Sequence, residues 1–194
     1  MTQPAHKTFS APARKLAGVC RAVFLCSLAV SLAAQAPVPP PASTAPVKIS
    51  VDGDDVFAVG FDKLAAFEYT IVDAATGATP EEIEKARQRD QVPDWIKLYQ
   101  DKRVALTGYL MPLQVENGLS KKFIMMRDIT TCCFGNVPNM NEYVIVTMKT
   151  GGVKPIQDVP VVLVGVFKIE EKYENGYVVA LYQMDGEKFL GPKK

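Results

Sequence analysis

From about residue 103 onward the pattern of apolar and polar positions takes on the short period of strands. Segments 104–113 and 122–130 are rich in β-branched, aromatic and methionine residues, and 142–149 alternates as a half-buried strand should. Segment 160–169 is apolar at almost every position, which reads as a strand covered on both faces, and 177–184 forms a fifth. Asn117-Gly118 separates the first pair and Asn175-Gly176 the last. Both dipeptides tolerate the positive φ of a type I′ turn, so each marks a tight hairpin. Gly108 and Gly165 fall in mid-strand, where a small barrel needs sharp coiling or close backbone approach. The pattern predicts a mainly β protein: a five-stranded, OB-like, partly open barrel over 103–190, built as a three-strand meander plus a hairpin. Residues 150–159 read as a turn, where barrels of this kind often carry a helix.

The stretch 48–102 reads as an N-terminal extension with one or two short helices. Residues 56–72 are apolar-rich, with Asp62 expected to cap one helical turn over 63–67 before a short strand through Tyr69, Ile71 and Val72. Thr79-Pro80-Glu81-Glu82 is a strong helix start, with Thr at the N-cap, Pro at the first helical position and Glu closing a capping box. That helix is predicted over about 80–89. It has only Ile83 and Ala86 to bury and so belongs on the surface. Trp95, Ile96, Leu98 and Tyr99 predict a second short helix packed on the main domain, with Trp95 as a core residue.

Residues 1–36 change the picture of composition. They carry Lys7, Arg14, Lys15 and Arg21 and no acidic residue, then an apolar stretch over 22–33, then small residues. This is the pattern of a secretory signal peptide, with cleavage expected after Ala36, although Pro37 would follow that cut, or three residues upstream after Ala33. The apolar stretch is short of the roughly 20 residues that span a bilayer; a retained N-terminal anchor is the competing reading. Neither Cys20 nor Cys26 has the small neighbours of a lipidation site. Residues 37–47 form a proline-rich, polyproline-like linker. The whole chain of 194 residues has 22 basic and 21 acidic residues. Four of the basic residues and none of the acidic ones precede residue 37, so the mature chain carries a net charge of −3. With no basic–aromatic stripe, no nucleic acid is expected as a partner. No transmembrane helix is expected in the mature chain, which the leader directs to the periplasm or outside the cell.

The leader also holds His6, Cys20 and Cys26, so the mature chain has no histidine and only Cys132 and Cys133. That excludes Ser-His-Asp and Cys-His catalysis and any histidine-ligated zinc. Glycine-rich phosphate loops are absent, and no carboxylate pair stands out. Chemistry is therefore expected in the connection between the second and third barrel strands. Cys132, Cys133, Phe134, Gly135, Pro138, Asn139 and Asn141 combine turn-forming with apolar character, and a loop of that composition packs inward or binds something. Three readings of the vicinal cysteines stand open. A disulfide between them would be strained, since neighbouring Cα atoms lie about 3.8 Å apart against the usual 4.4–6.8 Å or so, and would suit a redox switch. Two thiolates, with Met140 nearby, would suit Cu(I) or Zn(II) if the chain turns at Cys133, as Gly135 permits. The third reading is a pair of buried thiols acting as small hydrophobes, although free thiols are a liability in an oxidising compartment.

Val92-Pro93-Asp94-Trp95-Ile96, the stretch Lys102-Arg103-Val104-Ala105-Leu106-Thr107-Gly108-Tyr109-Leu110-Met111-Pro112-Leu113, Phe123-Ile124-Met125-Met126, the loop 131–138 and Asn141-Glu142 together resemble a family of exported bacterial proteins, domain of unknown function 3299. The resemblance covers about residues 56–185. It implies a small β domain in the periplasm or envelope and no established activity or catalytic residue. Cys132, Cys133, Gly135 and Pro138 match its central loop motif. The expected function is a non-enzymatic envelope binding or accessory module acting through residues 132–141, with an envelope protein or transporter component as partner. The alternative is a metal-binding or thiol-redox protein using Cys132 and Cys133.

Overall fold

A computed structural model of the chain describes residues 46–129 and 137–193. Seven strands form one sheet: β1 (Val47–Val51), β2 (Asp54–Gly60), β3 (Arg103–Pro112), β4 (Lys122–Met126), β5 (Tyr143–Met148), β6 (Pro160–Glu174) and β7 (Tyr177–Pro192). Their order is β1-β2-β3-β4-β5-β7-β6, and β6 returns to pair with β3, so the last five strands close a ring. Neighbours are antiparallel except β2 with β3 and β5 with β7. The fold is mainly β, and the ring is consistent with the partly open barrel that the alternation predicts.

The turns follow from residues that accept positive φ. Asn117 and Gly118 lie at 51° and 77°, and Asn175 and Gly176 at 54° and 85°, the left-handed pair a type I′ hairpin requires. The same geometry at Asp52 (54°) and Gly53 (89°) closes a β1–β2 hairpin that the strand reading above does not include. Strand β1 begins at Val47, the last residue of the proline-rich stretch. The β6–β7 hairpin is longer than its apolar runs predict, reaching Glu174 and Pro192, because its outer residues alternate with charged side chains that solvate one face.

Gly108 marks a hand-over on β3. One edge of β3 pairs with β2 as far as Thr107 and with β4 from Tyr109, while β6 runs along the other edge. A Cβ at Gly108 would come within 2.7 Å of the Phe61 ring and 2.9 Å of the Met126 carbonyl oxygen. A Cβ at Gly165 would meet the Asp185 carbonyl oxygen on β7 at 2.3 Å. The core inside the ring holds Phe123, Met125, Leu106, Leu163, Phe167 and Tyr182, all fully buried. The Phe167 and Tyr182 ring centroids are 5.3 Å apart.

Three short helices flank the sheet: α1 (Phe61–Leu64), α2 (Pro80–Arg87) and α3 (Asp94–Lys97). Helix α2 has the predicted capping box, with Glu82 N–H donating to the Thr79 hydroxyl and Thr79 N–H to the Glu82 carboxylate. In α3, Ile96 is fully buried and Trp95 packs edge-on against Phe67, 6.4 Å between centroids. Two local expectations are corrected. Asp62 does not cap α1, which starts two residues earlier than expected, at Phe61, from Gly60 with no side-chain cap. Residues 69–72 form no strand. Their anchoring is by side chains: the Gln91 amide pairs with both backbone groups of Thr70, at 3.0 and 3.1 Å, and the Tyr69 hydroxyl donates to Glu171. Among the described residues no helix is long and apolar enough to cross a membrane.

Candidate functional site

Strand β4 ends at Met126 and β5 begins at Tyr143, so the sequence-predicted loop joins two adjacent, antiparallel strands of the ring. Cys132, Cys133, Phe134 and Gly135 lie outside the described residues. Pro138, Asn139, Met140 and Asn141 are described, and they build a compact frame. Asn139 caps a 3₁₀ turn over Met140–Glu142, and its N–H and side-chain amide both donate to the Glu142 carboxylate, at 3.0 and 3.2 Å. The other carboxylate oxygen of Glu142 takes the Arg127 guanidinium at 2.9 Å, while Arg127 N–H donates to the Glu142 carbonyl at 3.0 Å. Glu142 thus ties the outgoing end of the loop to the incoming end.

Asn141 points inward. It is 3% exposed, and its amide donates to the Phe67 carbonyl at 2.6 Å. Met140 packs against the core, and its thioether accepts from the Tyr143 hydroxyl at 2.8 Å. That hydroxyl also reaches the Val179 carbonyl at 3.0 Å, and burial pushes the Tyr143 phenol upward. Val137, at the near end of the loop, is 86% exposed. A cleft of about 130 Å³ lined by Met126, Arg127, Asp128, Pro138 and Glu142 adjoins it. Among the described residues no group of three or more His, Cys, Asp or Glu side chains is placed to hold a metal ion.

A larger feature lies elsewhere. A groove of about 880 Å³ runs between the 87–100 segment and the outer half of β6. Two contacts bridge its walls. The Ile169 N–H donates to the Gln100 side chain at 2.8 Å, and the Arg87 guanidinium lies over the Tyr173 ring, 3.9 Å from its centroid. The β6–β7 register shifts between Ile169 and Lys172, a bulge that re-aims Glu171. Both oxygens of Glu171 then accept tyrosine hydroxyls, Tyr69 on one and Tyr173 at 2.9 Å on the other. Burial first, and Glu171 second, push both phenols above their ordinary range, most strongly at Tyr69; Arg87 partly opposes this at Tyr173.

The model of a protein family of unknown function, DUF3299, matches residues 58–190. The chain belongs to the DUF3299 family. A crystal structure of a DUF3299 family protein from Pseudomonas aeruginosa PAO1 is similar to it, with 20% sequence identity, a TM-score of 0.49, and coverage of 71% of this chain and 96% of that one. No curated protein matches the chain.

Within this DUF3299 chain, the sequence singled out the loop and missed the groove. The reason is topological. Its walls come from the 87–100 segment and from β6, about 70 to 85 positions away, and most of its side chains are ordinary surface types. One signal was present: Glu170-Glu171 interrupts the β6 pattern where the bulge falls.

Proposed function

We propose that this DUF3299 protein is an exported envelope or periplasmic binding or accessory module that acts, without catalysis, through residues 132–141. One observation carries this reading: the described end of the loop is pinned by Glu142 to Arg127, just after β4, and by Asn141 to the segment after α1, while Val137 beside it stands almost fully exposed. A rigid scaffold presenting a turn-rich, apolar loop is how binding segments are commonly built. In this reading Asn139 and Asn141 hold the frame, and Cys132, Cys133, Phe134, Gly135 and Pro138 carry the contacts. The partner is an envelope protein or a transporter component.

A photo-crosslinking amino acid at position 137 in the exporting cell tests the proposal. The expected result is one discrete adduct to an envelope protein, absent when the probe is moved to exposed Leu113. No adduct, or the same set from both positions, overturns it. The second reading is a metal or thiol-redox protein holding Cu(I) or Zn(II) on Cys132 and Cys133; their adjacency in a chain otherwise free of cysteine and histidine after residue 36 favours it. The Tyr143 hydroxyl on Met140 engages one sulfur lone pair, so Met140 would be a weak third ligand. Metal content of anaerobically purified protein, compared with Cys132→Ser/Cys133→Ser, separates the two readings. Stoichiometric metal lost in the variant supports the second.

A further inference from the structure

The groove beside β6 carries chemistry independent of the loop. Its charges balance, with Arg87, Arg89 and Lys97 against Asp90, Glu170 and Glu171. Most of them are already engaged. Lys97 pairs with Asp90 and with Asp94. Arg87 pairs with Glu84 and stacks on Tyr173, and Glu171 accepts the two tyrosine hydroxyls. Two charges are left over. The Arg89 side chain has no ion pair or hydrogen bond among the described residues; its backbone N–H donates to the Ala86 carbonyl at 2.9 Å. Glu170 has no ion pair or side-chain hydrogen bond there, since nearby Lys168 pairs with Asp185 at 2.8 Å. These two lie on opposite walls, one on the 87–100 segment and one on β6. Val92 and Ile169 add apolar surface to the groove, with Leu181 buried beneath.

From this we infer that the groove binds a short apolar peptide with free termini, its carboxylate on Arg89 and its ammonium on Glu170. The volume suits a ligand of a few hundred daltons. The wall from Ile169 to Tyr173 spans about 13 Å at about 3.3 Å per residue, and both ends are closed by the Gln100 and Arg87 contacts, so the occupant is short. A long strand added to the β6 edge is disfavoured by the bulge, which breaks the ladder such an addition would extend. A simple anion or cation is disfavoured by the opposite charge left over on the facing wall. A zwitterion answers both, and apolar side chains cover Val92 and Ile169.

Titration calorimetry on the purified protein with trileucine tests this. Binding of one peptide per chain is expected, with triglycine giving no heat. N-acetyl-trileucine, which lacks the ammonium, and trileucine amide, which lacks the carboxylate, are each expected to bind about fivefold more weakly or worse, the size of one half-exposed charge pair. Arg89→Glu and Glu170→Lys, both at exposed positions, are expected to weaken trileucine similarly. The double variant recovers affinity, because the two charges have exchanged walls and the zwitterion can reverse. Absence of saturable trileucine binding, equal affinity for either capped peptide, or full affinity in Arg89→Glu overturns the inference.

Discussion

Asn141 belongs to the candidate loop by sequence, and its side chain is engaged in holding the fold. Replacing it with alanine removes the donor 2.6 Å from the Phe67 carbonyl, at a position only 3% exposed. Water cannot freely take its place, so the carbonyl is left unpaired at a cost of about 1–3 kcal/mol. The bond joins residues 74 apart and holds the segment after α1 against the 3₁₀ turn. Taking about 2 kcal/mol, and about 2–4 °C per kcal/mol for a domain of this size, Tm is expected to fall by about 4–8 °C. Urea denaturation should show a lower midpoint with an unchanged m-value, since the surface exposed on unfolding is the same. Asn141→Asp, which sets a carboxylate oxygen against the carbonyl, should destabilise at least as much at neutral pH. A midpoint equal to wild type for Asn141→Ala would refute the reasoning. It would return Asn141 to the set of contact residues, and crosslinking from position 137 in that variant would then show a lost adduct.

Other expectations follow from single contacts. Gly165→Ala places a Cβ 2.3 Å from the Asp185 carbonyl oxygen, so β6 and β7 must part; a loss of about 3 kcal/mol or more is expected in thermal unfolding, and wild-type stability would contradict the register. Asp73→Ala removes the acceptor for the N–H groups of Ala75, Thr76 and buried Val178, and should lower stability by about 3 kcal/mol in the same assay. Tyr182 donates to the Leu64 carbonyl from a buried site, and burial raises its phenol far above the ordinary range. A raised folded-state pKa contributes stability that is complete below the unfolded value and lost as pH rises, so the alkaline unfolding limb should flatten in Tyr182→Phe. Glu187 shows the opposite sign: hydrogen bonds from Lys149 and then Arg103 hold its carboxyl below the usual range. Its contribution is present above that range and lost as pH falls through the lowered value; Glu187→Gln should be less sensitive to acid there, and an unchanged acid limb would count against the pair.

Much of the ring was legible because its signals are local. Asn117-Gly118 and Asn175-Gly176 mark their turns through backbone conformation alone, and Thr79 with Glu82 marks a helix start through hydrogen bonds three residues apart. Asp52-Gly53 carries the same turn signal; it went unread because the flanking strand Val47–Val51 overlaps a proline-rich stretch and exposes all but Val51. The segment 69–72 looked like a strand because Tyr69, Ile71 and Val72 are good β formers. A strand also needs a backbone partner in register, and here the Gln91 side chain takes the Thr70 backbone instead, which propensity cannot foretell. The loop was found from composition, while the inward turn of Asn141 and the Met140–Tyr143 contact were not.

The sequence by itself determined that the chain is mainly β, where most of its turns fall, and that beyond residue 36 its cysteines are one vicinal pair. Each of these rests on residue type or on spacing within a few positions. Only the tertiary structure decided that β6 closes on β3, that Glu142 and Arg127 clamp the loop, and that the 87–100 segment and β6 bring Arg89 and Glu170 to one groove. Those facts depend on which distant segments meet. Pairing is chosen by burial summed over the whole ring, and no local pattern encodes that sum.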